Sequence, residues 1–353
     1  MIALKRIIFY ISVLSVIALM LLRTQQIILY TQKTLRMCYE IIIPSLFPFF
    51  VCSGLLIYSG FAEAVSGCAR RIMRPLFNVA PSGAAAFVLG IISGFPLGAV
   101  CTKDLYKSGN LSKIEAERLL AFCNNSGPLF IIGTVGTAIY LKPVYGIMLY
   151  AIHICSSVIV GIIFKNYGKA QHNSPPTQIN TNDVSIAKAI ALSLDAAARN
   201  IITVCFSVVF FSTIAQALLD LLPLSPISDA IASGLCEFST GTLKISMLDT
   251  DIALKLIMTS LIVGFSGLSV HLQVMSVTAQ SGLSLKPYII GKALHGTIAA
   301  AITAALLYLT RAEAAFSPAA SPMSVSLFMY AMFILIAFGT LTVFIITHKN
   351  NSC

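Results

Sequence analysis

Apolar runs at 7–22, 39–61, 83–102, 119–140, 144–164, 200–222, 227–248, 252–280, 288–309 and 325–347 take up most of the 353 residues. A bilayer core needs about 20 apolar helical residues to cross it. With no water to satisfy backbone groups, only helices and closed barrels can span it. Barrel strands would appear as alternating segments of about ten residues, and no such alternation occurs. Only 10% of the residues are charged and 57% are hydrophobic, whereas about a quarter of a soluble protein is charged. The expected fold is an all-α polytopic membrane protein embedded in a lipid bilayer. The net charge of +10 then reads as cytoplasmic-loop Lys and Arg, not as a nucleic-acid surface. Nine cysteines stand singly with no CxxC pair. They read as small buried hydrophobes, with no metal site and no cofactor implied. Lys5-Arg6 before Ile7–Leu22 resembles a signal peptide, but no small-residue cleavage site follows, so an uncleaved first span is expected.

Two runs carry a polar, glycine-bearing break near the middle: SGFPLG (Ser93–Gly98) in 83–102 and EFSTG (Glu237–Gly241) in 227–248. Neither half of either run is long enough to span. Each is expected to be a re-entrant hairpin, which membranes tolerate only where it is buried in protein or lines a cavity. With both as hairpins, about eight crossings remain and both termini are cytoplasmic. Sixteen Lys and Arg, Lys286 and Lys292 among them, then lie at or near the inner face and seven outside, the bias that orients membrane proteins.

The two halves echo each other. SGFPLG corresponds to EFSTG, NNSGPLFIIGTVG (124–136) to GFSGLSVHLQVMS (264–276), and LKPVYG (141–146) to LKPYIIG (285–291), at offsets of about 143, 140 and 144 residues. His153 and His295 follow their LKP motifs at similar distances. On the eight-crossing topology the two repeats run in opposite senses. Secondary transporters use this plan, with sites at the midplane between broken helices. The expected segments are an N-terminal span and loop (1–38), a first repeat (39–165), a cytoplasmic linker (166–185), a second repeat (186–310) and a C-terminal span (311–353). Each repeat holds one hairpin and one broken helix, 119–140 in the first and 252–280 in the second.

GFPLGAVCTKDLYKSGNLSKIEAERLLAFCNNSGPLFIIGTVG, with EFSTG and GFSGLSVHLQ downstream, resembles the YlbJ family of sporulation integral membrane proteins, roughly over 40–310. That family carries the Gate domain shared with nucleoside transporters and bacterial ferrous-iron transporters. The resemblance implies a protein of endospore formers that moves dipicolinate from mother cell toward spore through the outer forespore membrane. Other sporulation membrane proteins are implied as partners, and a homo-oligomer is compatible. The Gln-Thr-Glu hairpin motif that grips nucleosides is absent. GxxxxGK[ST] is absent too, which excludes nucleotide-driven transport by this chain alone.

The candidate substrate contacts are the polar residues at the four breaks: Gly94, Phe95, Pro96 and Gly98; Asn124, Asn125, Ser126 and Gly127; Glu237, Ser239 and Thr240; Ser266, Ser269, His271 and Gln273. Half-helix N-termini at such breaks favour anions. Glu237 reads as a functional charge at membrane depth, as a partner of Lys244 or, in a shallow hairpin, as a solvated loop residue. Lys103 and Arg118 are candidate anion contacts, with topology anchoring as the alternative. Glu115 and Glu117 fall in NLSKIEAERLL, expected as an amphipathic surface connector, and Asp195 and Arg199 as an i, i+4 ion pair. No GxSxG, HExxH or spaced carboxylate pair marks an enzyme. The expected role is transport of a small anionic solute. A nucleoside carrier and a non-transporting scaffold for sporulation proteins remain the alternatives.

Overall fold

The computed structural model describes residues 2–58, 71–168 and 185–316. Among these every regular element is helical, with no strand. Most of the linker, the run 325–347 and Arg70 lie outside the described residues. Residues 1–301 form one compact unit, and a second unit begins at Ile302.

Helix α1 (Ile2–Leu22) exposes apolar side chains along its length, among them Phe9, Leu14 and Leu22. The chain then bends by 95° into α2 (Thr24–Met37). Arg23 interrupts the apolar run at the bend, and its guanidinium donates to the Ala217 carbonyl at 3.2 Å. Tyr30 donates to Asp220 from the next turns. A π turn at Cys38–Ile42 joins α2 to α3 (Ile43–Tyr58).

The first hairpin is α4 (Ala84–Ile92) and α5 (Leu97–Lys107), parted at Ser93–Pro96. It leads to α6 (Lys113–Cys123), which Ser112 and Glu115 start with a reciprocal capping box. After an unwound Asn124–Gly127 the chain continues as α7 (Leu129–Ile139), wound in π turns, and then α8 (Pro143–Phe164). The second half repeats the order. Helix α9 (Ile186–Leu219) precedes a hairpin of α10 (Pro226–Cys236) and α11 (Phe238–Met247), and then a broken helix of α12 (Ile252–Phe265) and α13 (Gly267–Thr278). It ends in α14 (Lys286–Phe316).

Among the described residues four helices are long and apolar enough to cross a membrane: Pro143–Phe164, Ile186–Leu219, Ile252–Thr278 and Lys286–Leu309, with a fifth if the bent N-terminal pair is one span. Eight runs were expected to cross. Of the other four, 7–22 belongs to the bent pair, 39–61 yields the 16-residue α3, 119–140 is broken at its polar segment, and 325–347 lies outside the described residues.

Glycines set the closeness of the hairpin arms. A Cβ on Gly90 would stand 1.6 Å from the Cys123 carbonyl oxygen, and one on Gly98 2.3 Å from the same atom. The first hairpin therefore rests backbone to backbone on the end of α6, as small residues allow between membrane helices. Beneath it Phe77, Phe87 and Phe122 pack ring against ring in a core with Met73, Leu119 and Val160.

Candidate functional site

Each hairpin tip lies against the break of the helix that follows it. Gly94 has φ +77°, and a Cβ there would meet the Gly127 nitrogen at 2.8 Å. Gly267 has φ +70°, and a Cβ there would meet the Phe238 nitrogen at 3.0 Å. Left-handed backbone in such contact is glycine's territory. The four breaks converge on one cavity of about 50 Å³. Its walls include Ser93, Gly94, Phe95, Ser126, Gly127, Glu237, Phe238, Ser269 and Gln273, closed by apolar side chains from α3, α7 and α9. Of the candidate residues, Gly94, Phe95, Ser126, Gly127, Glu237, Ser269 and Gln273 line this cavity together.

The remaining candidates hold the breaks in shape. Pro96 follows a cis peptide bond, and Gly98 sits on the Cys123 carbonyl. The Asn125 amide donates to the Phe122 carbonyl at 2.9 Å and to Ser157 Oγ at 3.1 Å, tying the unwound segment to α8. Ser239 and Thr240 donate their backbone N–H groups to the Glu237 carboxylate at 3.1 and 2.7 Å. The Thr240 hydroxyl pairs with Ser212 of α9. Ser266 takes the left-handed conformation at φ +76°. Its hydroxyl turns back to the Val263 carbonyl. His271 Nδ1 donates to the Gly267 carbonyl at 2.7 Å.

Glu237 is fully buried and does not pair with Lys244. Lys244 binds Asp229 at 2.6 Å and Ser233 at 2.9 Å instead. Glu237 caps α11, so a carboxylate already occupies the positive end of that half-helix. At α5, α7 and α13 no side chain caps the N-terminus.

Lys103 and Arg118 stand apart from the cavity. Lys103 pairs with the neighbouring Asp104 at 3.1 Å. Arg118 donates to the carbonyls of Tyr167, Asn78 and Gly168 at 2.7, 2.7 and 2.9 Å, clamping two loops to α6. The expected surface connector around Glu115 and Glu117 is instead part of a helix with nine of its 11 residues buried. Glu117 accepts from the Ser284 amide at 2.8 Å and from the Tyr167 hydroxyl at 3.3 Å. Outside the spans, partial burial and the Glu117 charge hold the Tyr167 phenol above its usual pKa. Asp195 and Arg199 do form their exposed pair, at 2.9 Å.

The sequence reading missed Lys292. Assigned to the cytoplasmic side, it is 1% exposed in the structure. Its Nζ donates to the Asn124 carbonyl and faces His295 Nδ1, both at 3.2 Å. His295 lies against His153 with ring centroids 4.3 Å apart, and its Nε2 donates to the His153 carbonyl at 2.9 Å. His153 Nε2 accepts the Ser126 N–H at 3.1 Å. Tyr288, Lys292 and His295 fall at i, i+4 and i+7, one face of α14, and that spacing was the available signal. Among the described residues no three His, Cys, Asp or Glu gather as metal ligands would.

The sporulation integral membrane protein YlbJ of Bacillus subtilis (strain 168) is 29% identical to this chain over 302 residues, 75% of this chain and 74% of that one. The chain is a YlbJ relative. That similarity supports the family resemblance carried by the GFPLGA-to-NNSGP block, and with the four apolar helices it supports an integral membrane protein. No family model matches the chain. No solved structure matches it either.

Proposed function

We propose that this YlbJ relative is a Gate-type transport protein of sporulation. It moves a small organic anion, dipicolinate by family resemblance, across the outer forespore membrane by opening one central site to alternate sides. The observation that carries this reading is the convergence of two hairpin tips and two helix breaks on one cavity. Interrupted helices at membrane depth are tolerated where they line such a space, and transporters place substrate there. Three half-helix N-termini without side-chain caps favour a negative ligand. The cavity of about 50 Å³ is far below the roughly 300 Å³ of small-molecule sites, so this conformation is the closed one and the tips part to admit substrate.

The full reading has eight crossings, cytoplasmic termini and two repeats of opposite sense. Contact between His153 and His295, which follow the two LKP motifs at matched distances, supports it. In a two-fold arrangement only residues near the axis touch their own counterparts.

The experiment measures dipicolinate in spores and mother cells of a deletion strain complemented with wild type, Asn125→Ala or Glu237→Ala. Dipicolinate retained in the mother cell, with point variants present in the membrane yet inactive, is the expected result. Normal dipicolinate in the deletion strain's spores would sink the proposal.

A further inference from the structure

Lys292 is a buried lysine without a counter-ion. Among the described residues no carboxylate lies within ion-pair distance of it. The hydrogen bonds around it limit where the charge resides. A carbonyl only accepts, so His295 Nε2 bears a hydrogen toward the His153 carbonyl. Its Nδ1 faces Lys292 Nζ at 3.2 Å. His153 Nε2 is an acceptor, because the Ser126 amide donates to it. His153 is therefore neutral, and any positive charge that the cluster carries belongs to the Lys292–His295 pair. Lys292 Nζ donates to the Asn124 carbonyl at 3.2 Å and lies 5.4 Å from the Phe95 ring centroid.

A buried charge left without an opposite charge is costly, and an intramembrane one marks a functional site with a partner to be named. The surroundings are unfinished in the same way. The Asn124 side-chain amide and the Tyr288 hydroxyl are both buried and make no hydrogen bond of ordinary geometry, with only each other within reach. Tyr288 lies one turn before Lys292 on α14 and near Asn124. A positive charge with an amide and a phenol in reserve is the donor set for a carboxylate. Phe95 lines the cavity and also lies against the ammonium, so one ring divides the cavity from this charge.

We propose that Lys292 is the counter-charge for a carboxylate of the transported anion, reached from the cavity when the Phe95 ring turns aside. The proposal rests on the anion-transport reading. It gives that site its specificity-determining residue: neutral solutes of the same shape find donors but no compensation for the buried ammonium. Asn124 and Tyr288 then supply the hydrogen bonds that they lack in the closed form.

The test uses the full chain in lipid nanodiscs and two probes in equilibrium dialysis, dipicolinate and its neutral diamide. Wild type is expected to bind dipicolinate at least tenfold more tightly than the diamide. Lys292→Met is expected to lose ten- to hundredfold in dipicolinate affinity and Lys292→Arg to regain part of it. Equal dipicolinate binding by wild type and Lys292→Met overturns the inference while leaving the transport reading in place. A wild type that binds neither probe, or prefers the diamide, overturns both. If Lys292→Met does not fold, Phe95→Trp serves instead, because the chain has no tryptophan and the new indole is the sole emitter of its kind. Its emission is expected to shift with dipicolinate and not with the diamide. Dipicolinate binding with a silent indole overturns the inference.

Discussion

Replacing Glu237 separates a carboxylate that holds the second hairpin together from one that merely occupies its tip. Two backbone N–H groups, of Ser239 and Thr240, point at its two oxygens at 3.1 and 2.7 Å, and the residue is 0% exposed. Two donors aimed at two oxygens suit the ionised form. Hydrogen bonds to a charged group are worth about 1.5–3 kcal/mol each, and a buried donor left unpaired costs about 1–3 kcal/mol. Glu237→Ala therefore destabilises the hairpin by about 3 kcal/mol, above the usual range of about 0.5–2 kcal/mol for a lost N-cap. Glu237→Gln keeps one acceptor and turns an amide N–H₂ toward the other donor, a loss of about 2 kcal/mol by the same arithmetic. The assay is thermal unfolding in detergent with a thiol-reactive fluorogenic dye, since Cys38 and Cys123 are buried and free and become reactive on unfolding. Both variants should melt several degrees below wild type, alanine lowest. An unchanged melting temperature for Glu237→Ala would refute the capping argument. A glutamine variant as stable as wild type would refute the ionised form.

Gly90→Ala should abolish stable membrane accumulation, because its Cβ meets the Cys123 carbonyl at 1.6 Å, whereas Gly133→Ala, facing only the Leu129 side chain at 3.2 Å, should accumulate near normally; immunoblots of membranes compare them. Arg118→Lys keeps the charge but can serve only some of three carbonyls, so about 3 kcal/mol is lost and the melting temperature falls, with dipicolinate selectivity unchanged among molecules that remain folded. Single cysteines in a cysteine-free chain, Lys107→Cys at the end of α5 and Met247→Cys at the exposed end of α11, should label from opposite membrane faces; labelling from one face would remove the repeats of opposite sense. The Asn125→Ala and Ser157→Ala losses in stability should be less than additive, since both side chains serve the Phe122 carbonyl and each other.

The four breaks were legible because each is written in residues that lipid and helix both reject: Gly94 and Pro96, Asn124 to Pro128, Glu237, and Ser266-Gly267. Their meeting at one cavity was legible only through the repeat, which gives each break a counterpart. The crossing count was less accessible, because hydropathy measures apolar length and not continuity. Helix α6 begins six residues before its apolar run does, since Glu115, Glu117 and Arg118 find buried partners in a cap and in loops far away in sequence. Lys292 was lost for a related reason. Counting basic residues for orientation treats each as solvated, and nothing local distinguishes a lysine at a loop from one whose partner, Asn124, lies 168 residues earlier.

The size of the cavity also bears on insulation. At about 50 Å³ it has room for a few water molecules, each of which needs about 10–15 Å³ of such space. The rings of Phe49, Phe50, Phe95, Phe130 and Phe238 stand around it. A metal ion carrying its full hydration shell does not fit, and the rings offer nothing to replace that shell, which leaves Glu237, Gln273 and the serines as the polar side chains facing the space. The space between the tips is too small for a hydrated ion, so the polar interruptions in these helices do not by themselves make an ion path.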